Sequence, residues 1–241
     1  MAIVSQSSAN RSSTERTLRL RSITQNDVAA VGLDLAREGG LEAVTLRSVA
    51  SRLGIATMSV YRFVGSKDEL LDAVVLIAFD RLELPTLLEG TWQERIIAVM
   101  ASWRDLLLVH PVVVELLVAR PVPAQSAGLS RMIESVLAAL EQAGVTGPAA
   151  GAAFWQIFSH TLGHVIFETP RRAIDADAQR AASERMRQTA TDRGFARTRA
   201  LATELTDVAA RSPLEVSLQH LLDGLQVAQH PIVEVRPSPR G

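Results

Sequence analysis

Residues 45–75 constrain this chain more than any other stretch, because they contain two short helical patterns separated by a glycine. Thr45 is a typical N-cap residue. The pattern that follows it places apolar side chains on one helix face, and they are Leu46, Val49, Ala50 and Leu53. Gly54 suits the position just after a helix, where a positive φ costs glycine little. A second short helix is predicted over Thr57–Val64, and Ser66 is predicted to cap a longer one that begins at Lys67.

Two short helices, a tight glycine turn and the small Ala50 where the helices must approach closely together describe a helix-turn-helix. This motif places its second helix in the major groove of DNA, with the first residues of that helix against base edges. The residues predicted to be exposed there are Thr57, Met58, Ser59 and Arg62. Tyr61, Lys67 and the backbone amides at the start of the next helix suit contacts with phosphate. The alternative interpretation is an ordinary helical hairpin within a bundle.

The rest of the chain also reads as helical, so the predicted fold class is all-α. Prolines separate further helices expected at 92–110, 112–119, 125–143, 148–168, 196–210 and 213–228. Residues 171–195 are strongly charged and weakly periodic, which predicts a mobile loop. The predicted organisation is a flexible arm over 1–18, a three-helix DNA-binding domain over 19–67, a larger ligand-binding and dimerisation domain over 68–230, and a disordered tail over 231–241.

Charge and composition support a nucleic-acid partner for the first part of the chain. Residues 1–67 contain nine Arg/Lys and five Asp/Glu, a net of 9 − 5 = +4, whereas the whole chain has a net charge of −1 and the remainder therefore −5. The sequence contains no cysteine, no apolar stretch near the roughly 20 residues of a membrane span, and no secretory signal. We therefore expect a cytoplasmic protein without a membrane partner.

The quoted stretch strongly resembles the tetracycline-repressor-like (TetR) family of transcriptional regulators. The family pattern matches in order over about fifty residues, from AREGGLEAVTLRSVASRLGI through Ser59-Val60-Tyr61-Arg62 to Lys67-Asp68-Glu69-Leu70-Leu71. The resemblance implies that positions commonly touching DNA are Thr45, Arg47, Thr57, Ser59, Tyr61 and Lys67. Many relatives have a phosphate-binding histidine after the Tyr-Arg pair, where this chain has Phe63. Arg19 and Arg21 could reach the minor groove or belong to a solvated tail.

Later motifs are similar to the effector domain of the same family. They are His110-Pro111 through Arg120-Pro121, Thr161-Leu162-Gly163, and Gly224-Leu225. The magnesium–tetracycline site of the drug-binding members is not preserved. Leu116 replaces its magnesium-binding histidine, and Phe167 replaces a carboxylate. The expected effector is therefore an unspecified small molecule, apolar or aromatic, rather than a magnesium–drug complex.

Residues 152–168 (AAFWQIFSHTLGHVIFE) predict a helix with two apolar faces, one of which could line a cavity while the other packs on a partner subunit. One face carries Trp155, Phe158, Leu162, Val165 and Ile166, and the other carries Ile157, His160, His164 and Phe167. Together with the leucine-rich last helix, this pattern predicts a four-helix homodimer interface. The alternative is a monomeric core. The pocket candidates are Trp103, Leu106, His110, Met132, Trp155, Phe158 and His164.

His160, His164 and Glu168 have the i, i+4, i+8 spacing of ligands on one helix face, but hydrogen bonds to a ligand or a neighbouring helix are the favoured interpretation. No metal or cofactor is therefore predicted. The predicted function is a ligand-responsive regulator, more specifically a repressor, that binds palindromic operator DNA as a homodimer. The competing interpretations are a ligand-independent architectural DNA-binding protein and, less favoured, a small-molecule-binding protein or enzyme, for which no nucleophile or nucleotide-binding motif is present.

Overall fold

A computed structural model describes residues 23–86, 90–120, 126–171, 175–211 and 213–227. These residues form α-helices and one 3₁₀ helix, Leu41–Ala43, and no strand occurs among them, which confirms the all-α prediction. The α-helices are α1 Gln25–Gly39, α2 Leu46–Leu53, α3 Thr57–Val60, α4 Lys67–Asp80, α5 Trp92–Val109, α6 Pro111–Ala119, α7 Ala127–Gln142, α8 Gly147–Arg171, α9 Ala176–Asp192, α10 Ala196–Ala200, α11 Ala202–Arg211 and α12 Leu214–Val227.

The chain divides into two compact units. The first unit comprises Met1–Leu84 with Asp105–Ile133, and the second comprises Pro85–Arg104 with Glu134–Gly241. Helices α5 and α7 therefore contribute residues to both units. The sequence predicts a boundary between the DNA-binding domain and the ligand-binding domain after residue 67, and this boundary stays a prediction. The predicted arm and tail, and also Arg19 and Arg21, lie outside the described residues.

The first helices within the described residues begin and end at residues whose chemistry fixes those points. Thr24 and Thr45 each accept a hydrogen bond from the backbone N–H three residues on and complete a capping box, and Ser66 caps α4 in the same way through the Glu69 N–H. Gly40 and Gly54 follow α1 and α2 with φ of 70° and 68°, backbone angles that favour glycine. These local signals explain why the sequence predicts the first helices well.

In the first unit, α1 packs closely against α4. α1 also contacts α2, which in turn packs against α3. α1 and α4 approach each other closely at Gly32, where a Cβ would lie 2.7 Å from Val74 Cγ2. Apolar side chains from α1, α2 and α4 are almost completely buried; they include Val28, Leu33, Val49, Leu70 and Val74. Burial of this surface stabilises the unit and holds the short α3 in place.

In the second unit, α8 packs against α11 and α12. Its buried side is formed by Phe154, Ile157, Phe158, Thr161 and Val165. Neither face predicted from sequence is buried as a whole within one chain. Trp155 and Ile166 are 53% and 39% exposed, whereas Ile157, assigned to the opposite face, is buried. The buried residues form one stripe along the helix, rotated from the face that carries Trp155 and Ile166, and α11 and α12 pack on the helix.

Residues 171–195 do not form the predicted loop, because α9 runs from Ala176 to Asp192. Asp175 caps this helix, and Arg180 and Arg187 pair with Asp177 and Glu184 one turn earlier. The helix predicted over 196–210 is interrupted at Leu201, which separates α10 from α11. Packing of α9 against α10 and α11 thus turns a polar segment into a helical hairpin.

Within the described residues, no single helix has the length and apolar character needed to cross a membrane. Only α5 and α6 taken as a bent pair meet that criterion by length and composition.

Candidate nucleic-acid interface

Thr45 determines where α2 begins. Its Oγ1 accepts the Ser48 N–H at 3.0 Å, and its own N–H donates to Ser48 Oγ at 3.0 Å. Ser48 Oγ in turn donates to the carbonyl oxygen of Ala43 at 2.6 Å, which ties the helix to the 3₁₀ helix before it. The Thr45 hydroxyl is therefore already engaged, and a contact with DNA would use its remaining acceptor capacity.

A three-residue connection joins α2 to α3. Gly54 adopts the left-handed conformation, and its N–H donates to the carbonyls of Ala50 and Ser51 at the end of α2. Nothing lies within 4 Å of the position that a Cβ would occupy there, so backbone conformation rather than space requires glycine. Ala50 and Val60 are buried, which fixes α2 and α3 against each other.

α3 is shorter than the prediction of Thr57–Val64, because the α-helix ends at Val60. Tyr61, Arg62 and Phe63 continue as a turn, with Arg62 N–H donating to Ser59 O and Phe63 N–H to Val60 O. The α-helix changes to a turn here because Val60 and Val64 are both buried, which holds the turn against the rest of the unit. Tyr61 and Arg62 nevertheless stay on the outside.

The solvent-facing side of this motif combines cationic and large apolar groups. Met58 and Tyr61, three residues apart, are 76% and 47% exposed. Arg47 and Arg62 are exposed, whereas Thr57 and Ser59 are half-buried. Cations, hydroxyls, a thioether and a phenol on one short segment match what base edges and phosphates require.

The start of α4 borders this surface. Ser66 Oγ accepts the Glu69 N–H at 3.1 Å, and Glu69 Oε2 accepts the Gly65 N–H at 2.6 Å. Lys67, the first residue of the helix, is exposed. The positive end of the helix dipole and the lysine are therefore both available for phosphate.

The pocket candidates fall in both units. Trp103 and Phe158, in the second unit, are buried and stack with ring centroids 4.3 Å apart. Trp155 meets Phe158 edge-on at 5.3 Å but is half exposed. Leu106, His110 and Met132 belong to the first unit. The assignment of these residues to a pocket stays a prediction.

His164 lies beside an ion pair that the sequence did not indicate. The Arg104 guanidinium binds both carboxylate oxygens of Glu168 on α8, with Nε at 2.8 Å from Oε2. His164 Nε2 is 3.8 Å from the same Oε2, and burial lowers the pKa of His164 despite this carboxylate. Arg104 and Glu168 are 64 positions apart. No sequence pattern could therefore have identified the pair.

His160 contacts α12 rather than a ligand set. Its Nε2 is 3.0 Å from Ser217 Oγ, and burial, with a smaller effect of His164, lowers its pKa. Among the described residues, no group of three or more His, Asp or Glu side chains is arranged to hold a metal ion. Of the two partners expected for His160, a ligand or a neighbouring helix, the described residues show the contact with the neighbouring helix.

His110, immediately before α6, is half-buried in the first unit, and its Nδ1 has no hydrogen-bond partner within the described part of the chain. Burial, followed by the positive charges of Arg37 and Arg81, lowers its pKa, and Asp34 acts in the opposite direction. These groups favour the neutral imidazole.

Comparisons with known proteins cover nearly the whole described chain. A family model described as bacterial regulatory proteins, tetR family, matches residues 29–74, and one described as the tetracyclin repressor-like C-terminal domain matches residues 84–228. An HTH-type transcriptional regulator of Saccharopolyspora erythraea is 32% identical over 160 residues, which are 66% of this chain and 67% of that protein. The HTH-type transcriptional repressor DrrR1 of Streptomyces coeruleorubidus is 28% identical over 85% of this chain and 78% of its own length.

Solved structures share the fold. ActR of Streptomyces coelicolor in complex with actinorhodin superposes with a TM-score of 0.74 at 22% identity, covering 85% of this chain and 95% of ActR. BioQ, known from Mycobacterium smegmatis, superposes in its complex with its double-stranded DNA operator with a TM-score of 0.60 at 22% identity, covering 86% and 99% of the two chains.

Proposed function

The chain belongs to the TetR family of transcriptional regulators, and from this premise we propose that it represses transcription as a homodimer that binds a palindromic operator and is released by a small molecule. The observation that carries the proposal is the outer side of the helix-turn-helix. Met58 and Tyr61 are exposed there beside Arg62, while the apolar residues of the same segment are buried. Large exposed side chains next to a cation form a surface suited to a binding partner.

In this proposal, α3 enters the major groove. Thr57, Ser59 and Met58 meet base edges, and Arg62 binds guanine or phosphate. Tyr61, Lys67 and the start of α4 bind the phosphates on either side, with Arg47 and Thr45 at the start of α2. Phosphate contacts position the motif, and the few base contacts supply the specificity.

The test is fluorescence anisotropy with DNA from upstream of the chain's own gene, measured at several salt concentrations. Tyr61→Ala is expected to weaken binding at least tenfold, which corresponds to about 1.4 kcal/mol. Phe195→Ala is the matched control, because Phe195 is an aromatic side chain of comparable exposure, 59%, on the second unit. It should bind as the wild type does.

Equal binding by wild type and Tyr61→Ala would contradict the assigned interface. If the upstream DNA is not bound, selection of binding sites from a genomic library decides whether the operator lies elsewhere. Failure of that selection would contradict the proposed function itself.

The homodimer is proposed from the apolar residues that α8 and α12 leave exposed on a single chain. Trp155, Ile166 and Phe167 on α8 are 53%, 39% and 61% exposed, and Val216 on α12 is 46% exposed. Trp155, Leu162 and Ile166 follow each other at spacings of seven and four, which places them along one side of the helix. A second copy of the same two helices would cover them in a four-helix interface.

Trp155→Asp tests this interface by sedimentation velocity. A charge in the middle of an apolar dimer interface is expected to shift the protein to monomer at micromolar concentration. Phe195→Asp again serves as the control and should remain dimeric. A dimeric Trp155→Asp protein would place the subunit contact elsewhere.

We propose an apolar or aromatic effector, because the second unit contains the stacked Trp103 and Phe158. Repression requires two α3 helices about 34–36 Å apart in successive major grooves, and the effector would favour a dimer with another spacing. Shifting a two-state balance from almost fully bound to almost fully free needs about 5.5 kcal/mol of differential effector affinity. We also propose a cytoplasmic location, because the protein must reach its operator DNA.

A further inference from the structure

An ion-pair cluster in the first unit connects α6 with the beginning of α4. Arg120, at the end of α6, donates from Nη1 to Asp68 Oδ1 at 2.7 Å, and its Nη2 lies 3.0 Å from Asp72 Oδ1. Nη2 also contacts the carbonyl oxygen of Asp68 at 3.4 Å. One guanidinium thus bridges two carboxylates that are one helical turn apart on α4.

The cluster joins residues matched by two different family models, which indicates a role besides stability. Asp68 and Asp72 lie within the residues matched by the DNA-binding family model, 29–74, and Arg120 lies within those matched by the C-terminal model, 84–228. All three nevertheless belong to the same compact unit. The cluster is therefore a direct contact from the part of the sequence matched by the C-terminal model to the first turn of the helix that begins at Lys67.

We propose that Arg120 is a positioning residue for operator binding, which fixes the DNA-facing end of α4 through Asp68 and Asp72. This inference rests on the proposed function. Arg120 does not act as a phosphate ligand, because its side chain is only 25% exposed and its guanidinium is engaged by both carboxylates. The hydrogen bond to Asp68 raises the pKa of Arg120 above its ordinary value, which keeps the guanidinium cationic.

The geometry makes arginine necessary. Its planar, forked guanidinium can satisfy Asp68 and Asp72 together, which a lysine ammonium cannot do with the same directionality. Without Arg120, the two carboxylates at the start of α4 would repel each other and would also repel the phosphates near Lys67. The first turn of α4 would then take up other orientations, and the phosphate contacts made from it would weaken.

The experiment compares the full chain and three variants by anisotropy on the selected operator, at several salt concentrations. Arg120→Gln is expected to weaken binding about tenfold with an unchanged slope of log K against log salt, because no phosphate contact is removed. The double variant Arg120→Gln/Asp68→Asn restores the net charge and removes the repulsion between the carboxylates but does not restore the bridge, so it should recover only part of the lost affinity. Arg52→Gln is the control for charge, since it breaks the exposed pair with Glu38 elsewhere in the same unit, and it should weaken binding far less than Arg120→Gln does.

Each alternative result overturns the inference in a distinct way. A salt slope lower by about one in Arg120→Gln would make Arg120 a phosphate contact. Full recovery in the double variant would make the effect of Arg120 one of charge alone. Wild-type affinity in Arg120→Gln would show that the bridge is irrelevant for binding. Circular dichroism of each variant checks folding. If Arg120→Gln does not fold, it is replaced by Asp72→Asn, which removes one side of the bridge and should lose less affinity. Wild-type affinity in Asp72→Asn would then overturn the inference.

The design separates this inference from the proposed function. Wild-type binding that Tyr61→Ala abolishes supports the function whatever Arg120 does. Absence of any operator for the wild type would overturn both.

Discussion

Gly128, near the start of α7, provides the sharpest prediction of stability. A Cβ at this position would lie 2.0 Å from the carbonyl oxygen of Phe79 and 2.7 Å from the backbone N of Asp80, at the end of α4. The contact is with backbone, which cannot move aside as a flexible side chain could. The Gly128 N–H also donates to Asp80 Oδ1 at 2.8 Å, and Ser126 Oγ donates to the same oxygen at 3.2 Å.

Gly128→Ala therefore forces the ends of α4 and α7 apart. Overpacking of this kind costs about 1–3 kcal/mol, and a backbone contact belongs to the upper end of that range. The better helix propensity of alanine returns at most about 1 kcal/mol. A net loss of about 2 kcal/mol lowers the Tm of a chain of this size by about 4–8 °C.

Thermal unfolding followed by circular dichroism measures this effect, with Gly151→Ala as the matched control. Gly151 is an exposed glycine within α8, and nothing lies within 4 Å of the position that its Cβ would occupy. Its replacement should stabilise the protein by about 0.5–1 kcal/mol, because alanine loses less backbone entropy on folding. If both variants were stabilised alike, the close approach of α7 to α4 would not exist in solution and the reasoning would be refuted.

Two further predictions follow from the caps and the histidines. Thr45→Ala removes the cap of α2 and should cost about 1 kcal/mol in unfolding free energy and weaken operator binding, whereas Thr45→Ser, which retains the hydroxyl, should lose much less of both. Burial lowers the pKa of His160 below its ordinary 6.5, so the unfolded chain binds the proton more tightly; stability is complete above that pH and declines as the pH falls through it. The decline, measured as Tm between about pH 7.5 and 5.5, should be smaller in His160→Gln, and an identical decline would mean that other groups cause it.

The contrast between α2 and α9 shows how far sequence reasoning could reach. The start and end of α2 were predicted because Thr45 and Gly54 satisfy the helix ends through bonds to neighbours in the sequence. Hydrophobic periodicity does not indicate α9, because the buried residues of this helix, Ser183 and Ala190, are small and only weakly apolar. Its Asp175 cap and its ion pairs one turn apart were visible in the sequence and indicate a helix by a different criterion.

The exposed candidates of the proposed DNA-binding surface were also predictable. A helix-turn-helix has a fixed inner face, so Met58, Tyr61 and Arg62 had to lie outside once Val49 and Val60 were inside. Only the structure revealed that α3 ends at Val60 and that Trp155 is exposed on its helix. Those outcomes depend on which neighbours cover a residue, which periodicity alone does not specify.

The sequence by itself therefore determined the all-α class, most of the helix ends and the identity of the DNA-binding segment. These properties follow from backbone chemistry and from contacts within about one or two helical turns. The tertiary structure decided which charges meet. Arg104 binds Glu168 and Arg120 binds Asp68, pairs separated by 64 and 52 positions. Such pairs form only after apolar burial has brought their helices together. The hydrophobic effect that drives this burial is non-directional, so it does not specify which charged side chains meet.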